Sequence, residues 1–113
     1  MHEFSIARNI TNIAEDELRK ANANSVEKIE LEIGELSGIE IESLEFVWEA
    51  AIRDSVLDNA ELIINRIKAK AHCNDCDKEF GIKQLFDACP ICRNHNFDIL
   101  CGKELKIKSL TVN

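Results

Sequence analysis

The chain has 113 residues, 21 acidic and 14 basic side chains, a formal charge of −7 and five cysteines. That length suits one small domain, whose core suffices only if it is well organised. The acidic balance excludes a binder of phosphate backbones, which needs Lys and Arg in excess, and no apolar stretch is long enough to span a bilayer. His2, Glu3 and the early polar residues exclude a signal peptide. The expected compartment is therefore the reducing cytoplasm, where paired cysteines are more often metal ligands than disulfides.

The chain opens Met1-His2-Glu3. A large second residue disfavours removal of Met1. The retained amine, the His2 backbone nitrogen and the His2 Nδ1 then close two fused chelate rings on one ion, with Glu3 supplying a fourth donor through its amide or carboxylate. A nitrogen-rich, near-planar set suits Ni(II) or Cu(II) better than tetrahedral Zn(II). Read alone, a histidine after the initiator is more often chance than a ligand.

From Ser5 to Asn22, Ile6, Ile10, Ile13, Ala14 and Leu18 recur at helical spacing, with Ser5 as N-cap and Asn22-Ala23-Asn24 as the stop. Val26 to Gly34 alternates: Ile29, Leu31 and Ile33 face one side, Lys28, Glu30 and Glu32 the other, as in a strand with one dry face. A turn between Gly34 and Gly38 leads to a second amphipathic helix over Glu42–Ser55, with Leu44, Val47, Trp48, Ala51 and Ile52 on its apolar side. Leu62–Ile67 reads as a strand partly covered on both faces. Leu105, Ile107, Leu110 and Val112 form a last strand whose parity changes, which predicts a bulge near Lys108-Ser109. The mixture predicts an α+β fold: a small mixed or antiparallel sheet with two helices, interrupted by an inserted zinc-ribbon-like module. The predicted division is 1–70 plus 103–113 for the α+β domain and 71–102 for the insert.

Within the insert, Cys73-Asn-Asp-Cys76 and Cys89-Pro-Ile-Cys92 are two Cys-x-x-Cys knuckles separated by twelve residues. Each knuckle presents two thiolates, and two knuckles complete the tetrahedral sulfur set that zinc favours. Such a site has no open position for water, so its expected role is structural. The insert is too short for a useful apolar core, so metal binding is expected to supply much of its folding energy. Thiol redox chemistry is the rival, yet a thioredoxin-type site wants a single motif at a helix start. Cys101 lies outside the motif and reads as a small hydrophobe. His72 and His95 read as loop histidines, His95 being the better candidate to lend an imidazole to a transferable ion.

Met1-His2-Glu3, the run Ile33-Gly34-Glu35-Leu36-Ser37-Gly38 and the two Cys-x-x-Cys pairs, in this order, resemble the HypA family of nickel metallochaperones of [NiFe]-hydrogenase maturation. The resemblance covers essentially the whole chain. It departs where Glu40 is followed by Ile41, a position at which the family often has proline, and it assigns no role to Cys101. It implies a transferable nickel ion at Met1, His2 and Glu3 and zinc at Cys73, Cys76, Cys89 and Cys92. It further implies a HypB-type GTPase partner and delivery of nickel to a hydrogenase large-subunit precursor, with urease accessory proteins as further partners in some organisms.

The expected function is thus carriage without catalysis: no Ser-His-Asp set or phosphate-cradling glycine loop is recognisable. The alternative is a zinc-ribbon protein-interaction module without nickel transfer. Its RNA-binding version is disfavoured by the acidity and by one Trp and no Tyr for stacking. Eight glutamates against a single lysine between Glu27 and Glu49 are expected to offer a docking face to a basic partner.

Overall fold

The computed structural model describes residues 3–113, so Met1 and His2 lie outside the described residues. Helix α1 (Glu3–Lys20) buries Ile6, Ala7, Ile10, Ala14 and Leu18 on one stripe. It begins two residues before the expected Ser5 cap. Ser5 is an exposed residue inside the helix, and the Glu3 carboxylate sits in the first turn, where the helix dipole favours an anion. The stop falls where the Asn-Ala-Asn run predicts it. Asn22 takes a left-handed φ of 52°, the Asn22 amide donates to the Arg19 carbonyl and the Ala23 amide to the Leu18 carbonyl. That pair of bonds is a Schellman cap, which satisfies the last carbonyls of the helix.

Strand β1 (Val26–Gly34) buries Val26, Ile29, Leu31 and Ile33 under the helices. Helix α2 (Ile41–Ile52) buries Leu44, Trp48, Ala51 and Ile52, and it ends before the expected Ser55. The chain turns at Asp54, whose φ of 60° cannot continue a helix. The Arg8 guanidinium donates to the Ala51 carbonyl at 3.0 Å, so one exposed carbonyl of this helix end is satisfied from α1. Strand β2 (Glu61–Ile67) then lies parallel to β1, with Leu62, Ile63, Ile64 and Asn65 all half-buried. Strands β3 (Lys70–Cys73), β4 (Glu79–Gly81) and β5 (Phe97–Cys101) form a second sheet of order β4-β3-β5, antiparallel throughout. Strand β6 (Leu105–Val112) returns to pair antiparallel with β1, completing the mixed order β2-β1-β6. Its register skips Lys108 between Ile107 and Ser109, the bulge its parity change predicts.

Two apolar cores result. The larger fills the space between the helices and the β2-β1-β6 sheet. The smaller joins Ala69, Ala71, Phe80 and Ile82 to Cys73 and Cys89, and Phe97 meets Phe80 edge-to-face at 5.6 Å. The insert therefore has a modest core and a sheet of its own, which corrects the expectation of a loop-rich segment too short for one. The chain leaves the first sheet after Ile67, and Lys70 already pairs with Gly81 and Cys101 in the second.

The glutamates between Glu27 and Glu49 do not share one surface. Glu30 and Glu32 lie on the sheet face away from the helices. There Asn65 donates to Glu30 at 2.9 Å, and Lys106 pairs with Glu32 at 3.2 Å. The Asn65 hydrogen bond, together with Lys108 and Lys28, holds the Glu30 carboxyl below its ordinary range. Glu42, Glu45 and Glu49 stand on α2, on the other side of the sheet. Two residues apart along β1, or one element away, the same side chain faces a different neighbour.

The two sheets meet at backbone. The Gly34 amide donates to the Glu104 carbonyl at 2.8 Å, the Glu35 amide to Ile67 at 3.0 Å and the Leu36 amide to Gly102 at 2.6 Å. Leu36 then packs against the smaller core. A Cβ on Gly34 would collide with the Gly102 carbonyl, and one on Gly102 with Ala69. Gly34→Ala should therefore lower unfolding stability by about 1–3 kcal/mol, the usual cost of overpacking. Urea denaturation followed by circular dichroism checks this, and an unchanged midpoint would mean that the junction yields.

Candidate metal centres

Cys73 ends β3, and its amide donates to the Lys78 carbonyl at 2.8 Å while the Asp77 amide donates back to the Cys73 carbonyl at 2.9 Å. The second knuckle repeats this pattern at the same offsets. The Cys89 amide donates to Asn94 at 3.0 Å, and the Arg93 amide donates to Cys89 at 2.8 Å. Asp77 and Arg93, each four residues after the first cysteine of its knuckle, both take left-handed φ, 58° and 63°. Neither is glycine, so each turn carries strain of order 1 kcal/mol that the surrounding hydrogen bonds must hold. Asn74 ties the knuckles together, donating from its amide to the Asn96 carbonyl at 2.9 Å.

These turns bring Cys73, Cys76, Cys89 and Cys92 together with their sulfurs all within 4.8 Å. Cys73 and Cys92 are 3.4 Å apart and Cys76 and Cys89 3.6 Å. Tetrahedral geometry with a Zn–S bond of about 2.3 Å puts sulfurs roughly 3.8 Å apart. The cluster is therefore close to the size that a tetrahedral, sulfur-loving ion requires. Cys73 and Cys89 are fully buried, and Cys76 and Cys92 are half-buried.

Four thiols at this spacing cannot all ionise without a cation. The Cys92 backbone N–H, aided by that of Ile91, overcomes burial and brings Cys89 down to about 6. Burial pushes the Cys76 thiol up to about 12, with hydrogen bonds to Cys73 and Cys89 acting in the same direction. At Cys92 the Asn94 N–H pulls the thiol down, but the bond with Cys73 and burial outweigh it and the net direction is up. Backbone N–H donors thus favour a thiolate at Cys89, while burial opposes one at Cys76.

The other residues singled out by the sequence lie elsewhere. His72 is half-buried and faces Asp77, its Nε2 3.4 Å from the Asp77 carboxylate, while His95 is exposed. Neither belongs to the thiol cluster. Cys101 ends β5 and donates its thiol to the Lys68 carbonyl at 3.3 Å. Glu3 is half-buried at the start of α1, in a hollow shared with Phe4, Glu42, Ser43, Phe46 and Val47. The proposed ligands Met1 and His2 lie outside the described residues. The hollow itself had no signal in the sequence, because Phe4 and Phe46 are brought together only by the packing of α1 on α2.

Two helices on a mixed three-stranded sheet, joined to a ribbon that gathers four thiols, define a small α+β metal-binding protein. Residues 1–112 match the family model described as hydrogenase/urease nickel incorporation, metallochaperone, hypA. The hydrogenase maturation factor HypA of Parabacteroides distasonis is 44% identical over 112 residues, 99% of this chain and 97% of that relative. That of Geotalea uraniireducens is 40% identical over 112 residues, 99% of each chain. The solution structure of the nickel metallochaperone HypA from Helicobacter pylori superposes with a TM-score of 0.71 at 27% identity, covering 99% of this chain and 97% of that one. The chain belongs to the HypA family of hydrogenase maturation factors and nickel metallochaperones.

At pH 7 the directions at Cys76 and Cys92 leave both thiols protonated, so a metal ion must displace at least those two protons. Affinity then falls with acidification, by about a hundredfold per pH unit for two protons released. Competition of the metal-free protein against a zinc chelator across pH 7–8 measures the slope. A flat profile would mean that the thiols are already ionised.

Proposed function

We propose that this protein is a nickel carrier. It takes Ni(II) at Met1, His2 and Glu3 and delivers it to a [NiFe]-hydrogenase large-subunit precursor, while Cys73, Cys76, Cys89 and Cys92 hold a structural zinc ion. The observation that carries the reading is the match of residues 1–112 to a nickel-incorporation metallochaperone family in a chain that opens Met-His-Glu. The four-thiol set supports zinc by its chemistry, since soft thiolates in a closed tetrahedral site suit it and leave no position for water. The protein turns over no substrate of its own. In this reading residues 1–70 and 103–113 serve nickel and 71–102 serve zinc, although Ala69 and Lys70 pack and pair with the second unit. Its partners are a HypB-type GTPase and the hydrogenase precursor, with urease accessory proteins a further destination, and its compartment is the cytoplasm. Among the described residues no helix is long and apolar enough to cross a membrane.

A carrier must bind its cargo tightly enough to accept it and loosely enough to yield it. Ligands from consecutive residues at a chain end meet that need, because few other contacts have to break on release. The imidazole and the terminal amine must both be unprotonated to ligate, so nickel, like zinc, binds less well as the pH falls. A second reading, a zinc-ribbon interaction module, draws on the exposed Leu85, Phe86 and Ile91 of the insert. An N-terminal extension separates the two, since it damages the nickel site and leaves the ribbon untouched.

Calorimetric titration of nickel into the untagged, zinc-loaded protein should show one equivalent bound and His2→Ala should lose it with zinc and fold intact. Tight stoichiometric nickel in that variant would sink the assignment. Cys73→Ser should release zinc and disorder residues 72–101 in NMR spectra while the helices persist. A full zinc equivalent retained by that variant would instead exclude the four-cysteine site.

A further inference from the structure

We infer that the exposed face of α2, together with the first turn of α1, is a docking surface for a partner protein whose own surface offers an apolar pocket ringed by lysine and arginine. Phe46 is 88% exposed, the most exposed large apolar side chain among the described residues, and Phe4 is 48% exposed. Both line one hollow of about 450 Å³ with Glu3, Glu42, Ser43 and Val47. Single exposed apolar side chains need no explanation, but two aromatic rings at one hollow form a patch. Aromatic residues of this kind anchor protein interfaces when a partner desolvates them.

Charge selects the occupant. Glu42 and Glu49 stand four residues before and three after Phe46, one helical turn on either side, and Glu45 precedes it. No basic residue occurs anywhere in α2, and among the described residues the one cation within ion-pair distance of its carboxylates is Arg66, 3.9 Å from Glu45. On the opposite side of the sheet, Glu30 and Glu32 are matched by Lys108 and Lys106. Among the described residues, the α2 face is left with surplus negative charge around an exposed aromatic ring. A second copy of this chain, itself at −7, is a poor match for it. A basic-rimmed protein surface is a good one.

The inference rests on the nickel-carrier reading in one respect: Glu3 lines the hollow, so a partner seated there lies beside the proposed cargo. The probe is accordingly a HypB-type GTPase from the same organism, with its affinity and rates measured for the untagged chain. Phe46→Ala removes a ring outside the core and should weaken binding roughly thirtyfold, chiefly through faster dissociation. Its nickel and zinc stoichiometries should not change. Glu42→Lys with Glu49→Lys should slow association in a salt-dependent way.

Unchanged GTPase affinity in Phe46→Ala overturns the inference, as does a native chain that binds nickel but not the GTPase. Either result leaves the carrier reading standing. A Phe46→Ala chain that changes its own oligomeric state in sedimentation assigns the surface to a second copy, and also overturns it. A native chain that binds no nickel but shows Phe46-dependent GTPase affinity sinks the carrier reading and keeps the docking surface.

Discussion

The backbone contact between Gly34 and Gly102 is the constraint on which the arrangement of this molecule depends. The chain passes between the sheets twice, after β2 and before β6, and the loop after β1 reaches across to meet both crossings. Hydrogen bonds from three successive residues, Gly34, Glu35 and Leu36, hold the loop to the crossings. Main-chain bonds of this kind fix direction as well as distance, and Leu36 adds an apolar anchor in the ribbon core. Only glycine permits the approach. A run that looks like a surface turn in the sequence is thus the joint that sets how the ribbon sits on the helical unit.

The ribbon achieves its order through a different balance. Its apolar core is small, and two of its most buried side chains are cysteines. Its knuckles also accept left-handed backbone at Asp77 and Arg93. A divalent ion closing on the four thiolates would offset both the strain and the crowded charge of such a module. Leu36 rests on that same core, so the joint packs against the cluster that contains Cys73 and Cys89.

Charge is distributed with similar economy. The acidic excess reads as one feature along the chain, yet the fold divides it. Carboxylates on the sheet face are met by the lysines of β6, which also guard an edge strand against unwanted pairing. Those on α2 surround an exposed aromatic ring instead. The first arrangement consumes charge in holding a sheet surface, and the second leaves it available to a partner.

Much of this was legible in the sequence, where local periodicity governs. The dry face of β1, the stop of α1 at Asn22 and the bulge at Lys108 follow from spacing and turn chemistry within a few residues. The thiol cluster follows from knuckle spacing, because a two-residue gap allows little else. Helix starts were less legible: Ser5 is a good cap residue, yet it lies inside α1. The sheet within the insert, the separation of the glutamates and the hollow that Phe4 shares with Phe46 were invisible, since each depends on residues far apart in the chain. Residue order determined both helices, strands β1, β2 and β6, the four thiols and the Met-His-Glu opening. Only the tertiary structure decided which faces became interior, joint or open surface, because burial and electrostatic pairing are properties of neighbours in space.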